Sequence, residues 1–272
     1  MPQRRMVVDG ATRRFTATRW TCRAAVVAVL GVAASCSGSK GASADSGQSD
    51  TGQSAEAAAV SGAAGAADTA WVSLVDAGAS QWRGFKRQNL PAAWKVVGDT
   101  LAFTPVADTS QRGDIVTREQ YGDFELAYEW KVSPGGNSGV YYRADEDHAF
   151  GWETGPEMQV LDNKRHVDGK NPLTSAGAAY ALYAPSEDVT RPAGEWNEAR
   201  IVARGPHVEH WLNGRKVVEY EQGSPDWQQR MKASKFNTMP DYGKRMSGHI
   251  VLQDHGDPVW FRNIRIRRLS PG

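Results

Sequence analysis

The chain has 272 residues, of which 40% are hydrophobic and 23% charged, with a formal net charge of +1 at pH 7. Residues 1–23 hold six arginines and one aspartate, so the rest of the chain keeps 26 of 32 basic residues and 30 of 31 acidic residues, for a net charge near −4. A mildly acidic chain without a basic stripe is not expected to bind nucleic acid.

The N-terminal region predicts an export signal that ends in a lipid anchor. The basic segment 1–23 is followed by an apolar run over 24–34, which is too short to span a bilayer. The next residues complete Ala33-Ala34-Ser35-Cys36, which resembles a relaxed bacterial lipobox and implies lipidation of Cys36. We therefore expect 1–36 to be a lipoprotein signal peptide and the protein to be anchored to a membrane of the bacterial cell envelope.

The cysteine count agrees with an anchor. Cys22 and Cys36 are the only cysteines, and both lie in the leader. The folded part therefore has neither a disulfide nor thiolate chemistry. An exported domain of this kind needs a core large enough to be stable without disulfides.

The segment 37–70 consists mainly of Ser, Gly, Ala, Asp and Gln. Such a composition cannot bury enough apolar surface to offset the entropy lost on ordering. It predicts a disordered tether between the anchor and a folded domain.

From Trp71 onward the composition becomes that of a β domain, 71–272. Alternating apolar and polar residues, separated by short turns, predict roughly a dozen strands. Two stretches form a hairpin around Gly98-Asp99. The predicted strands cover 94–97, 100–103, 114–117, 124–132, 137–143, 155–162, 198–203, 208–212, 215–220, 249–254 and 259–266. Only 226–232 predicts a helix, of two turns at most, so we expect an all-β jelly-roll sandwich of two antiparallel sheets.

Two of these strands carry paired polar side chains. Glu157 and Gln159 alternate with apolar residues along one strand, which ends at Asp162. Gln253 and His255 share a face at the end of another strand. Together they predict a polar cleft on one sheet. Two edge strands with solvated outer faces are the alternative.

Four further polar residues are candidates for the same cleft. Asn137 and Ser138 follow a glycine-rich turn that has no helix after it to receive a phosphate, and we expect them at the cleft mouth. For Ser138 a plain turn is the alternative. Arg143 shares a face with Asn137 by alternation, where it would pair with Glu157 or bind a sugar hydroxyl; on a convex face it would be a solvated charge. His210 is either structural or substrate-binding.

Several sequence blocks, in this order, resemble the successive blocks of the 3-keto-disaccharide hydrolase domain family. They are Gly136–Arg143, Glu157–Asp162, Gly194–Asn197, His210–Gly214, Gly248–Gly256 and Phe261–Ile264. The resemblance covers about 71–269. It implies a concanavalin A-like jelly roll, cleavage of 3-keto glycosides in the cell envelope, and a functional pairing with a sugar 3-dehydrogenase that supplies the keto group.

The candidate residues match the chemistry that such a cleavage needs. A ketone at carbon 3 of a sugar acidifies the hydrogen at carbon 2, so a modest base can remove it while the glycosidic oxygen leaves carbon 1. Water then adds, and the net reaction is hydrolysis. Glu157 and His255 are the candidate catalytic acid and base. The substrate-binding candidates are Asn137, Ser138, Arg143, Gln159, Asp162, His210 and Gln253.

Two other functions stay open. A conventional retaining glycoside hydrolase needs two carboxylates about 5–5.5 Å apart, and Gln159 stands where the second one is expected. A non-catalytic carbohydrate-binding module would need aromatic side chains on an open face. The sequence requires no cofactor, although Glu157, Asp162 and His255 are possible ligands for a divalent cation.

Overall fold

The structure is a computed structural model and describes residues 70–75 and 78–271. The signal peptide predicted over 1–36, Cys36 itself and almost all of the tether predicted over 37–70 lie outside the described residues. Within the described ranges, no helix has the length and hydrophobicity needed to cross a membrane.

The described residues form thirteen β-strands, one α-helix and five short 3-10 helices. The strands are β1 (Val72–Ser73), β2 (Trp82–Gly84), β3 (Trp94–Val97), β4 (Thr100–Phe103), β5 (Ile115–Thr117), β6 (Phe124–Val132), β7 (Asn137–Ala144), β8 (Glu157–Leu161), β9 (Asn197–Arg204), β10 (His207–Leu212), β11 (Arg215–Glu221), β12 (His249–Leu252) and β13 (Val259–Arg268). The α-helix is α1 (Pro225–Ala233), and the 3-10 helices cover Thr109–Gln111, Gly151–Glu153, Val167–Lys170, Pro172–Thr174 and Lys235–Thr238.

The strands make two antiparallel sheets. The larger sheet has the order β11-β10-β9-β6-β13-β4-β3, with β1 paired to β13, and the smaller has the order β2-β5-β12-β7-β8. The predicted all-β jelly-roll sandwich is therefore confirmed.

Alternation along the strands determines which side chains enter the core between the sheets. In β6 of the larger sheet, Leu126, Tyr128 and Trp130 are buried. The residues that follow each of them, at positions 127, 129 and 131, are partly exposed. In β8 of the smaller sheet, Met158 and Val160 belong to the same core cluster. Since each fully buried aliphatic or aromatic side chain contributes roughly 1.5–3 kcal/mol, this cluster supplies the large core that a domain without disulfides needs.

The helix is slightly longer than the sequence pattern predicted. Ser224 caps it by accepting a hydrogen bond from the Trp227 amide, and Pro225 occupies its first turn. Both residues are favourable at a helix start. Trp227 is buried, so the helix is held against the core by one aromatic side chain.

A β-bulge in β7 changes the direction of one predicted site residue. Two residues, Tyr142 and Arg143, lie opposite the single residue Ile250 of β12. Arg143 has a φ of 55°, in the left-handed region that strands do not normally use. The bulge ends the strict alternation, so the prediction that Arg143 shares a face with Asn137 is wrong.

Arg143 instead lies fully buried beside the core. Its guanidinium donates to the Gly122 carbonyl at 3.1 and 3.2 Å and to Gln222 Oε1 at 3.1 Å. Asp123 lies 3.6 Å away and balances the charge. The side chain therefore neither pairs with Glu157 nor faces solvent.

Candidate active site

A cleft of about 380 Å³ lies on the face of the smaller sheet that is turned away from the shared core. It is lined by Asn137, Tyr141, Trp152, Glu157, Gln159, Asp168, Tyr180, Lys235, Met239, Gln253 and His255. Five predicted site residues are thus brought together, namely Asn137, Glu157, Gln159, Gln253 and His255.

Strand register determines which polar residues of the cleft are neighbours. Tyr141 of β7 pairs with Glu157 of β8, and Gly139 pairs with Gln159. The Gly139 carbonyl accepts a hydrogen bond from the Gln253 amide at 3.0 Å. Because directly paired side chains start about 4.5–5.5 Å apart, the phenol and the carboxyl lie side by side, and the two amide side chains flank the glycine.

The missing side chain at Gly139 gives the Glu157 carboxyl its place. A Cβ atom built at this position would lie 1.9 Å from Glu157 Oε1. That is far inside the distance of about 3.5–4.0 Å at which non-bonded heavy atoms pack. The carboxyl therefore lies over the backbone of β7, and only glycine leaves room for it.

Burial sets the ionisation of Glu157, which is only 5% exposed. Desolvation raises its pKa to about 8; the positive charge of Lys235 opposes the rise, and the negative charges of Asp114 and Asp168 add to it. At neutral pH the folded protein therefore keeps this carboxyl mainly protonated. A protonated carboxyl can donate a proton to a bound ligand.

Lys235 enters the cleft from the start of a 3-10 helix. Although the residue as a whole is exposed, its Nζ lies 4.3 Å from the ring centroid of Tyr180, 5.1 Å from that of Phe236 and 5.7 Å from that of Trp152. Desolvation lowers the pKa of this ammonium, whereas the charges of Glu157 and Asp168 favour its protonated form. The cleft thus holds a lysine with more free amine than an ordinary surface lysine.

His255 and Tyr180 border the same space. The His255 ring is 45% exposed, and its Nδ1 lies 4.0 Å from Asp257 Oδ2. Burial raises the pKa of Tyr180 to about 12, with the charge of Asp168 and a hydrogen bond to that carboxylate adding to the rise. The histidine is therefore open to solvent and ligand, while the tyrosine hydroxyl stays protonated.

Several cleft oxygens lack a partner in the protein. Among the described residues, five buried side-chain atoms make no hydrogen bond, and three of them are Asn137 Oδ1, the Tyr141 hydroxyl and Gln253 Oε1. Buried polar atoms without partners are uncommon in folded proteins. Their concentration here indicates a site that binds a ligand with many hydrogen-bonding groups.

A second carboxyl on this sheet was not predicted as a site residue. Asp114 directly precedes β5, and its Oδ1 accepts a hydrogen bond from the Asp254 amide at 2.9 Å. Desolvation raises the pKa of Asp114 to about 7. Since β12 and β7 separate it from Glu157, the two backbones are three strand spacings, or about 14 Å, apart. Asp114 therefore does not form with Glu157 the close carboxylate pair of a retaining glycosidase.

Four predicted substrate-binding residues lie outside the cleft lining: Ser138, Arg143, Asp162 and His210. The Ser138 hydroxyl donates to the Gln253 carbonyl at 2.8 Å and joins β7 to the end of β12. Asp162 accepts hydrogen bonds from two backbone amides in neighbouring turns, at 2.9 and 3.0 Å. Both oxygens of this carboxylate therefore hold loop backbone. The divalent cation predicted on Glu157, Asp162 and His255 stays a prediction.

His210 belongs to the core of the sandwich. Its Nδ1 donates to the Gly177 carbonyl at 3.0 Å, and its Nε2 lies 2.9 Å from the Tyr142 hydroxyl. Burial lowers the pKa of the imidazole to about 4. The histidine is therefore neutral and fixed between two hydrogen bonds. Of the two roles left open by the sequence, structural or substrate-binding, this arrangement corresponds to the structural one.

The comparisons with known proteins agree on one family. The profile described as a 3-keto-alpha-glucoside-1,2-lyase-like domain matches residues 70–267. A protein of Bacteroides thetaiotaomicron named 3-keto-disaccharide hydrolase is 33% identical over 216 residues, which cover 70% of this chain and 74% of the relative.

Two solved structures from Parabacteroides distasonis, both provisionally described as glycosyl hydrolases, share the fold. One is 32% identical, covers 74% of this chain and 94% of its own, and has a TM-score of 0.67. The other is 28% identical, covers 74% of this chain and all of its own, and has a TM-score of 0.60.

Proposed function

The chain belongs to the family of 3-keto-alpha-glucoside-1,2-lyase-like domains, and on this premise we propose that it cleaves the glycosidic bond of 3-keto sugars. The reaction removes the proton at carbon 2, expels the glycosidic oxygen from carbon 1 and then adds water. The relative named as a 3-keto-disaccharide hydrolase and the fold shared with glycosyl hydrolases support a carbohydrate substrate.

The observation that carries the proposal is the burial of the Glu157 carboxyl at the cleft, where it lies over Gly139 and the residue is only 5% exposed. A carboxyl with a pKa of about 8 is roughly nine-tenths protonated at pH 7. It is suited to donate its proton to the leaving oxygen, and it is unsuited to act as the ionised nucleophile of a retaining glycosidase. We therefore assign Glu157 as the general acid.

His255 is the proposed general base for carbon 2. The ring is accessible from the cleft, and a neutral imidazole can accept a proton near physiological pH. The unpartnered oxygens of Asn137, Tyr141 and Gln253 would accept or share hydrogen bonds with sugar hydroxyls. They orient the ring so that carbon 2 faces the base.

The proposed setting of the reaction is the bacterial cell envelope. A lipid on Cys36 would anchor the protein to the membrane, and 37–70 would let the domain reach its substrate. A sugar 3-dehydrogenase would have to act first, because an unoxidised glycoside has no acidic hydrogen at carbon 2.

The direct test compares a 3-keto disaccharide with its unoxidised parent. The full chain is incubated with each sugar in deuterated water, and the monosaccharide released is followed by NMR. We expect release only from the keto sugar, with deuterium at carbon 2 of the product. A parallel incubation of the 3-keto monosaccharide measures exchange after release.

Other outcomes would select another function. Cleavage of the unoxidised sugar would indicate a conventional glycoside hydrolase. Binding of either sugar without cleavage would indicate a carbohydrate-binding module. Product without deuterium at carbon 2 would refute the elimination route.

A further inference from the structure

Lys235 is held at the cleft by its local backbone. The preceding residue, Ser234, accepts a hydrogen bond from the Phe236 amide at 3.1 Å and caps the 3-10 helix that Lys235 begins. The following residue, Phe236, is only 2% exposed. A capped turn on one side and a buried ring on the other fix the direction from which the lysine enters.

The surroundings of the Lys235 amine are unusual for a lysine. It lies among three aromatic rings and, within the described part of the chain, makes no hydrogen bond and no ion pair. By contrast, the Nζ of Lys216 lies 3.2 Å from Glu209 and 2.8 Å from Glu219. The charges of Glu157 and Asp168 favour the ammonium, but desolvation outweighs them and lowers its pKa. An amine that is not tied to a carboxylate by a hydrogen bond, and whose pKa is lowered in this way, can act as a nucleophile.

The residues assigned so far do not stabilise the negative charge that develops when the carbon 2 proton is removed. When the proton leaves carbon 2, its electron pair moves toward carbon 3, and a group must accept the negative charge that would develop on the ketone oxygen. The unpartnered oxygens of the cleft can hold sugar hydroxyls but carry no positive charge. Among the residues that line the cleft, Lys235 is the one lysine, and arginine does not occur there.

We propose that Lys235 is a catalytic residue that forms an iminium with the carbon 3 ketone of the substrate. The inference rests on the function proposed above and adds a covalent step to it. The neutral amine attacks carbon 3, and the carbinolamine takes up a proton from solvent and loses water to give a protonated C=N bond; the same proton returns to solvent when the iminium is hydrolysed. The positively charged nitrogen then accepts the electron pair of the broken C2–H bond more readily than the oxygen of a neutral ketone would.

The remaining steps balance without any added reagent. The base takes the carbon 2 proton, and the electron pair of that C–H bond forms a C2=C3 enamine. The enamine expels the glycosidic oxygen from carbon 1, which takes a proton from Glu157, and leaves an unsaturated iminium. Water adds at carbon 1 and a proton returns to carbon 2. A second water hydrolyses the iminium and releases the 3-keto monosaccharide and the free lysine.

The experiment traps the iminium. The full chain is incubated with a 3-keto disaccharide and sodium cyanoborohydride, which reduces an iminium to a stable secondary amine, and peptides are then mapped by mass spectrometry. We expect a sugar adduct on Lys235. The unoxidised parent of a non-reducing disaccharide, which offers neither a ketone nor a latent aldehyde, should give none.

Two lysine variants separate covalent chemistry from charge. Lys235→Arg keeps a cation but cannot form the iminium, so it should lose the adduct and most of the turnover, comparable to the 10²–10⁴-fold loss of a general acid or base. The matched control is Lys232→Arg, an exposed lysine on α1, which should keep both. Melting curves of both variants verify that the fold is retained.

The results separate this inference from the proposed function. Cleavage of the keto sugar without an adduct on Lys235, or full turnover in Lys235→Arg, would overturn the iminium and leave the function standing. Failure to cleave the keto sugar would overturn the function. Without cleavage, even an adduct would count against a catalytic role for Lys235.

Discussion

Replacing Glu157 with glutamine should remove a large part of the pH dependence of stability. The pKa of Glu157 is raised from 4.5 to about 8 in the folded protein, chiefly by burial. Between these two values the unfolded chain loses the proton while the folded protein keeps it. The free energy of unfolding therefore falls as the pH rises, by up to about 1.4 kcal/mol per pH unit for one proton.

The size of the effect follows from the same two values. A difference of about 3.5 pH units corresponds to roughly 5 kcal/mol, of which a few kcal/mol should be measurable once the structure relaxes. The glutamine side chain of Glu157→Gln cannot ionise, so the variant should not show this fall in the free energy of unfolding. Asp114, whose pKa is raised to about 7, is present in both proteins and contributes the same trend to each.

The assay is urea denaturation of both proteins at several pH values from 5 to 9. The variant and the wild type should differ little at pH 5, and the variant should become the more stable of the two by pH 8 to 9. The control is Glu195→Gln, at an exposed position, which should follow the wild type throughout. Parallel curves for wild type and Glu157→Gln would show that this carboxyl does not remain protonated on folding and would refute the assignment of a general acid.

Three further predictions concern the catalytic base, the glycine under the acid and the anchor. His255→Ala should lower turnover of the keto sugar by on the order of 10²–10⁴-fold and change binding much less, as measured by steady-state kinetics and calorimetry; equal losses in both would indicate a binding role alone. Gly139→Ala should abolish activity and lower the melting temperature, because its Cβ would meet Glu157 Oε1, whereas Gly78→Ala, with open space at the Cβ position, should not. Cys36→Ser should move the protein out of the membrane fraction, and unchanged fractionation without a lipid on the mature N-terminus would contradict the anchor.

The strands were predictable because their signals are local. The hairpin of β3 and β4 and the long strand β6 begin and end where alternation and the Gly98-Asp99 turn predicted. Two short strands, β1 and β2, were missed, since two or three residues are too few to show a period. Arg143 was misplaced because a bulge depends on the pairing with β12, which the sequence of β7 does not contain.

The candidate site was predictable where it lies on a strand or directly follows one. Glu157 and Gln159 were found because alternation assigns them a common face of β8, and Gln253 and His255 were found because they continue the pattern just beyond the end of β12. Trp152, Asp168 and Lys235 come from 3-10 helices between strands, where no periodicity indicates which way a side chain turns. Their arrival at one cleft is a result of tertiary packing.

The order of strands in the two sheets has a consequence for how the chain folds. The last two strands, β12 and β13, are both interior: β12 lies between β5 and β7, and β13 between β4 and β6. Until residues 249–268 are available, each sheet is divided into two parts with unpaired edges. Such edges expose backbone groups to other chains, and pairings so distant in sequence form slowly. The domain should therefore fold only once residues 249–268 are available to both sheets, and a truncation before residue 249 should yield no folded core.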